Sequence, residues 1–478
     1  MARSVSLFWF RQDLRLSDNP ALTAAAEAGA VLPVYILDDS HAGDHKMGSA
    51  SRWWLHKSLQ SLNDSLDGKL LVLKGDPAKH LAALAAASGA KKLYWNRCYE
   101  PWRIARDTAI KTEFVEQGFH VESHNGSLLW EPWDVTKADG TPYRVFTPYF
   151  RRGCLGASPP RMPLPAPVQL DLISIACEQD GVEGLRLRSN IGWDITMDTH
   201  WQIGEVGAKQ RLAKFIDKEL SGYKDGRNFP ARPHVSRLSP HLHWGEVSPH
   251  TVWYAAKDRM EAGAVSHEDG DHFLSELGWR EFSHALLYYF PDLPRQNLQP
   301  RFDHFPWKQD KDALQCWQRG QTGYPIVDAA MRQLWQTGYM HNRLRMIVGS
   351  FLVKNLRLHW HHGEAWFWDC LVDADLANNS AGWQWIAGSG ADAAPYFRIF
   401  NPITQASKFD PEGAFIRHYV PEIANLPNTY LFSPWEAPAD ILSDAGVHLG
   451  SNYPCPIVDV KTSRLDALAA FATLKELA

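Results

Sequence analysis

Val5–Phe10 (VSLFWF), Ala30–Leu37 (AVLPVYIL), Leu70–Leu73 (LLVL) and Lys92–Trp95 (KLYW) are four short apolar runs rich in β-branched and aromatic residues. Helix-like stretches such as Ala21–Ala28 and Ser51–Leu66 lie between them. Strand alternating with helix predicts a doubly wound parallel sheet with helices on both faces, whose binding crevice lies beyond the carboxyl ends of the strands. This α/β domain is assigned to residues 1–131. The next stretch, 132–200, is weakly periodic, carries Pro159, Pro160, Pro163, Pro165 and Pro167, and reads as an interdomain linker. From Trp201 onward 3.6-type spacing takes over, in Ala208–Leu220, Asp271–Phe290, Asp312–Thr337 and Asn342–His359, which predicts an all-α domain over 201–478.

Composition narrows the function. The 478 residues are 45% hydrophobic and 22% charged, as in folded globular chains and unlike disordered ones. A formal net charge of −5 excludes histone-like binding, so any nucleic-acid contact must rest on a local basic groove. Six scattered cysteines with no C-x-x-C pair argue against a disulfide scaffold or a zinc ribbon and point to a reducing cytoplasm. The apolar run ending at Phe10 meets Arg11 and Asp13 before it makes a signal-peptide core, and no stretch is apolar for about 20 residues, so no membrane partner is expected. Of the 21 tryptophans, eleven lie between Trp244 and Trp385. Such a surplus suits rings that stack, conduct electrons or close a pocket.

Several motifs carry both a chemical and a plain structural reading. Gly388–Ala393 fits a loose G-x-G-x-x-A pattern but follows helical sequence and no strand, so it is not read as a dinucleotide loop. Asp373 and Asp375 form a D-x-D pair without a phosphate loop, and His359, His361, His362 and Glu364 are better explained as solvated caps than as zinc ligands; no metal is expected. The loop Gly222–Pro230 and then Val235-Ser-Arg-Leu-Ser239 suits a phosphate through its hydroxyls, N–H groups and arginines, or else caps the helix near Trp244. In a helix, Glu276, Trp279 and Arg280 share one face, as do Asn342, Arg345 and Met346. A carboxylate, a flat ring and a guanidinium on one face suit a planar polar ligand; an ion pair beside a core tryptophan is the alternative.

Phe10-Arg-Gln-Asp-Leu-Arg15 with Ser17-Asp-Asn19, Thr322–Asp328, Met340–Met346, Asp373–Trp385 and Tyr396–Pro402 together resemble, in order and over nearly the whole chain, the photolyase/cryptochrome family. The resemblance implies an antenna domain, a linker and a helical domain holding FAD in a bent shape. It places Tyr223, Ser236, Arg237, Leu238 and Ser239 on the FAD phosphates and ribityl chain, with Val235 standing where that family often has Thr. It places Arg345 and Asp373 along the isoalloxazine, Asp375 at the imide edge of the ring and Asn379 facing its reactive nitrogen. A neutral amide there suits an anionic reduced flavin, which a carboxylate would repel.

The same resemblance implies which chemistry the chain performs. Glu276, Trp279 and Trp385 match the carboxylate and rings that receive a cyclobutane pyrimidine dimer, joined by Asn342 and Met346, neither of which is the histidine of six-four repair enzymes. Arg280, Arg343, Arg398, Gln405 and Lys408 are the expected contacts to the strand of UV-damaged DNA. Trp383, Trp360 and Trp307 match an electron chain from flavin to surface. A second antenna chromophore is expected, methenyltetrahydrofolate or 8-hydroxy-deazaflavin. The expected protein is a cytoplasmic monomer without an obligate protein partner. The alternatives are a blue-light photoreceptor of the cryptochrome kind and a nucleotide-dependent transferase.

Overall fold

The computed structural model describes residues 4–393 and 397–474. Tyr396, the first residue of the Tyr396–Pro402 motif, lies outside the described residues. The chain divides into two compact units, one made of 1–221, 236–291 and 372–377, the other of 222–235, 292–371 and 378–478.

The first unit contains a five-stranded, all-parallel sheet of order β3-β2-β1-β4-β5, built from β1 (Val5–Phe10), β2 (Ala30–Leu37), β3 (Leu71–Lys74), β4 (Lys92–Asn96) and β5 (His120–His124). Helices Pro20–Glu27, Ser49–Ser65, Pro77–Ser88 and Pro101–Glu116 form the crossovers. Asn19 accepts the Leu22 N–H and Asp76 the Ala78 N–H in the first turns of two of them, and each is followed by Pro at the first helical position, where its missing N–H costs nothing. Alternate sides of β1 supply two cores: Phe8 and Phe10 pack with Trp53, Trp54 and Leu59, whereas Leu7 and Trp9 pack with Leu81, Trp95 and Phe114. Burial on both faces explains why β1 and β2 read as continuous apolar runs. β5, sequence HVESH, was not among the expected strands: it is an edge strand with a single large apolar residue, Val121.

The order reverses between β1 and β4, the place where open α/β sheets bind ligands. Here the crevice is taken by the chain itself. Asn96 donates to Asp13 and to Asn19, and Arg15 donates to the carbonyls of Asp18, Gly126 and Gly245. Gly245 has φ +67°, and a Cβ there would stand 2.1 Å from the Gln12 carbonyl oxygen, so this crossing of two backbones requires glycine. The Phe10–Arg15 and Ser17–Asn19 motif therefore ties loops together.

Long helical segments do not all run through. Asp312–Thr337 is two helices, Lys311–Arg319 and Pro325–Thr337, because Gly320 takes φ +63° and Pro325 opens a new first turn. Asn342–His359 is a helix to Ser350, a wider π turn over Phe351–Asn355, and a stop before Arg357 at φ +56°. Residues 132–200 are mostly irregular, with short helical turns only. No helix among the described residues is long and apolar enough to cross a membrane.

Candidate functional site

In the first unit the helix His267–Tyr289 presents Glu276, Trp279 and Arg280, all partly exposed. Trp279 lies flat on Phe146, ring centroids 3.8 Å apart at 10°, so one face of the indole is backed by the 132–200 segment. That contact had no signal in the sequence. Arg280 pairs with its neighbour Glu281 at 3.0 Å. Glu281 is buried, which pushes its carboxyl pKa up, although Arg280, His284 and the N–H groups of Trp130 and Leu129 pull the other way. Arg280 thus has its ion-pair partner in the next residue of the helix.

Asp375 is clamped by two imidazoles, His243 Nδ1 and His284 Nε2, each at 3.5 Å. Burial pushes its pKa up, yet the charge of His284 and the hydrogen bonds of both rings outweigh this and hold Asp375 well below the usual carboxylate range. His284 shows the reverse balance: burial lowers it, Asp375 raises it further. Asp375 is thereby a fixed anionic acceptor. Nearby in chain order, Asp373 is buried, Leu238 is buried and Ser239 exposed, and Arg211 donates to the Ser236 carbonyl at 2.6 Å while the Arg237 guanidinium lies 4.4 Å over Trp201. Two isolated histidines carry no motif, so this clamp was invisible before folding. Among the described residues, no group of three or more His, Cys, Asp or Glu side chains is placed to hold a metal ion.

In the second unit Asn379 is buried on the helix Leu376–Ala387 and its Nδ2 donates to the Glu364 carbonyl at 3.0 Å. The bond sets the amide's orientation and leaves Oδ1 as its acceptor. Ser380 donates to the Glu364 carboxyl, which burial pushes up to about 7 against that hydrogen bond. Glu364 is therefore no solvated cap. Arg345 donates to the Met340 carbonyl at 2.9 Å, Tyr223 and Val235 are buried and half-buried, and Trp385 donates its indole N–H to the Asp392 carbonyl at 3.1 Å. Arg343 donates to Asn228 Oδ1 and lies 4.3 Å over Phe409; Asn342, Arg398 and Lys408 are exposed, Met346 and Gln405 half-buried.

Trp383 is buried against Trp317 at 6.2 Å and Phe367 at 5.0 Å. A Cβ on Gly363 would fall 2.1 Å from the Trp383 ring, so only glycine admits the indole. Trp360 is fully buried and donates to Asn297 Oδ1 at 3.0 Å. Trp307 is half-buried and packs on Phe305 at 4.5 Å. His359 and His361, expected as solvated, instead lie half-buried with their rings against Trp360.

The first unit thus holds, besides its parallel sheet, an acidic clamp between two helical histidines, and the second a fixed neutral amide and buried indoles. Residues 273–473 match the family described as FAD binding domain of DNA photolyase, and residues 6–168 the one described as DNA photolyase. The chain is similar to a deoxyribodipyrimidine photo-lyase of Agrobacterium fabrum, 47% identical over 98% of each chain. It is also similar to cryptochrome-2 of Arabidopsis thaliana, 39% identical over 96% of this chain and 77% of that one. A bacterial class III photolyase from Agrobacterium tumefaciens superposes with a TM-score of 0.95 at 45% identity, covering 100% of this chain and 98% of that one. The chain belongs to the photolyase/cryptochrome family. Its enzyme class is that of the photo-lyases, and its helical part is the family's FAD-binding domain.

Proposed function

We propose that the protein repairs cyclobutane pyrimidine dimers in DNA under light. The observation that carries this over the photoreceptor reading is the neutral Asn379 amide, its N–H committed to the Glu364 carbonyl and its oxygen left to accept. Such an acceptor fits the N–H that a reduced isoalloxazine presents, and it places no carboxylate against an anionic ring. FAD would be held by Tyr223, Val235, Ser236, Arg237, Leu238, Ser239, Arg345, Asp373, Asp375 and Asn379. When bound, the flavin supplies light-driven donation and return of one electron, which opens the two carbon–carbon bonds of the dimer with no net redox change.

The chain's own groups bind and orient. Dimers stack poorly in the duplex and cost less to extrude than ordinary bases. Trp279, backed by Phe146, and Trp385, held by its bond to the Asp392 carbonyl, offer rigid rings for the extruded bases, at about 1–3 kcal/mol of stacking each. Glu276, Asn342 and Met346 would meet the base edges, while Arg280, Arg343, Arg398, Gln405 and Lys408 would position the strand and make affinity fall with salt. Trp383, Trp360 and Trp307 would carry electrons inward to reduce an oxidised flavin.

The functional division proposed is an antenna domain at 1–131, a linker at 132–200 and a FAD-binding catalytic domain at 201–478. A light-harvesting chromophore, methenyltetrahydrofolate or 8-hydroxy-deazaflavin, would serve the antenna domain. The protein would work as a cytoplasmic monomer on UV-damaged DNA. The test is chromatographic loss of dimers from a thymine-dimer oligonucleotide under blue light with chemically reduced protein. Repair is expected, with Glu276→Ala lowering it about tenfold at unchanged FAD content; a reduced, illuminated protein that leaves the dimers intact overturns the reading in favour of a photoreceptor.

A further inference from the structure

One ring bridges Trp360 and Trp307. The imidazole of His359 lies 5.6 Å from the Trp360 ring at 27° and 5.0 Å from the Trp307 ring at 63°. The indole nitrogen of Trp307 is buried without a hydrogen-bond partner. His359 is also the N-cap of the helix Trp360–Cys370, its Nδ1 accepting the His361 N–H at 3.2 Å. An imidazolium has no lone pair to accept with, so this cap exists only on a neutral ring. Burial drives the His359 pKa down to about 4, helped by His361 and His362 on its own helix and opposed by Asp303 from the turn Pro300–His304.

We propose that His359 is a positioning residue for photoreduction: a neutral spacer between two indoles that pass a positive hole outward, kept uncharged by its capping bond so that no cation repels that hole. The inference rests on Trp383, Trp360 and Trp307 being the electron chain. In the step concerned, one electron leaves Trp307 and fills the hole on Trp360; no bond breaks, His359 gains no proton, and a thiol reductant in solution later refills Trp307. A cation in place of the imidazole would raise the cost of the hole on both rings, because like charges about 5 Å apart at half-buried sites are only partly screened.

The test follows bleaching of the oxidised flavin in holoprotein under blue light with dithiothreitol. His359→Lys is expected to slow it at least about tenfold. His359→Asn, neutral and still a good N-cap, and His359→Leu, neutral without the cap, are expected to stay within about twofold of the parent. A readout independent of the flavin is histidine ¹⁵N NMR of the holoprotein, in which the resonance lost in His359→Asn should stay neutral, with Nδ1 bare, down to about pH 5. Acidification from pH 5.5 to 4 should slow the parent about twofold and leave His359→Asn unchanged, a comparison that holds even where the lysine variant folds poorly. Equal rates for lysine and asparagine variants, equal acid responses, or an imidazole charged at pH 6 would each overturn the proposal. Should Trp360→Phe fail to block photoreduction, the electron chain itself falls, a result separate from any outcome at His359.

Discussion

The two units use the same residue in opposite surroundings. In the sheet, Trp9 and Trp95 are buried, and the Arg11 and Arg106 guanidinium groups both stand 4.8 Å from the Trp9 ring, with Arg11 5.8 Å from Trp95. Asp107 and Asp38 bind those arginines from behind. In the helical unit, Trp360 and Trp307 meet His359 and His361, and Trp383 meets Trp317 and Phe367. A unit charge about 5 Å away is worth about 3 kcal/mol at an effective dielectric constant of 20. Two cations that would oppose a hole thus stand against Trp9, each paired with a carboxylate. The charge on its neighbours is one condition an indole must meet to carry a hole, and tryptophan count alone says nothing of it.

Four substitutions break or sharpen that contrast. The largest effect is expected of Trp360→Phe, which should slow photoreduction on the order of 100-fold while chemically reduced protein still repairs; loss of both would dissolve the division between the two tasks. Next is Glu364→Gln. Burial raises the folded pKa of Glu364 to about 7, so the folded state holds the proton more tightly than the unfolded one and stability falls as pH rises from about 4.5 to 7. The glutamine variant should lack that decline and gain up to about 3 kcal/mol at pH 8 relative to the parent, read by urea melts at several pH values. Gly363→Ala comes third: the added methyl drives Trp383 from its seat at about 1–3 kcal/mol, visible as a lower melting temperature and a slower photoreduction. The smallest is Trp9→Phe. It should destabilise the sheet by about 1–2 kcal/mol yet leave photoreduction within about twofold, and a large loss there would end the comparison.

Legibility followed burial pattern. β1, β2, β3 and β4 stood out as continuous apolar runs because parallel strands are covered on both faces, whereas polar β5 at the edge left no such trace. The break at Gly320 and Pro325 was written in the sequence and lost inside a longer period. The π turn at Phe351–Asn355 had no local marker. Of the proposed site, Asn379 and Trp383 lie inside the Asp373–Trp385 motif and Trp360 was assigned from the family resemblance, while Phe146, His243, His284 and Asn297 carried no such mark, each being a single residue whose partner lies far along the chain.

By itself the sequence determined the alternation of strands and helices as far as β4, and the family through motifs spread from Phe10 to Pro402, because these depend on residue type and local spacing. Only tertiary structure decided protonation and orientation. Asp375 is held as an anion because two distant histidines close on it, Asn379 keeps its oxygen as an acceptor because the Glu364 carbonyl takes one of its N–H groups, and His359 is kept neutral because burial and a capping bond oppose its charge. Electrostatic energy depends on distance through space and on excluded water, neither of which a linear chain displays.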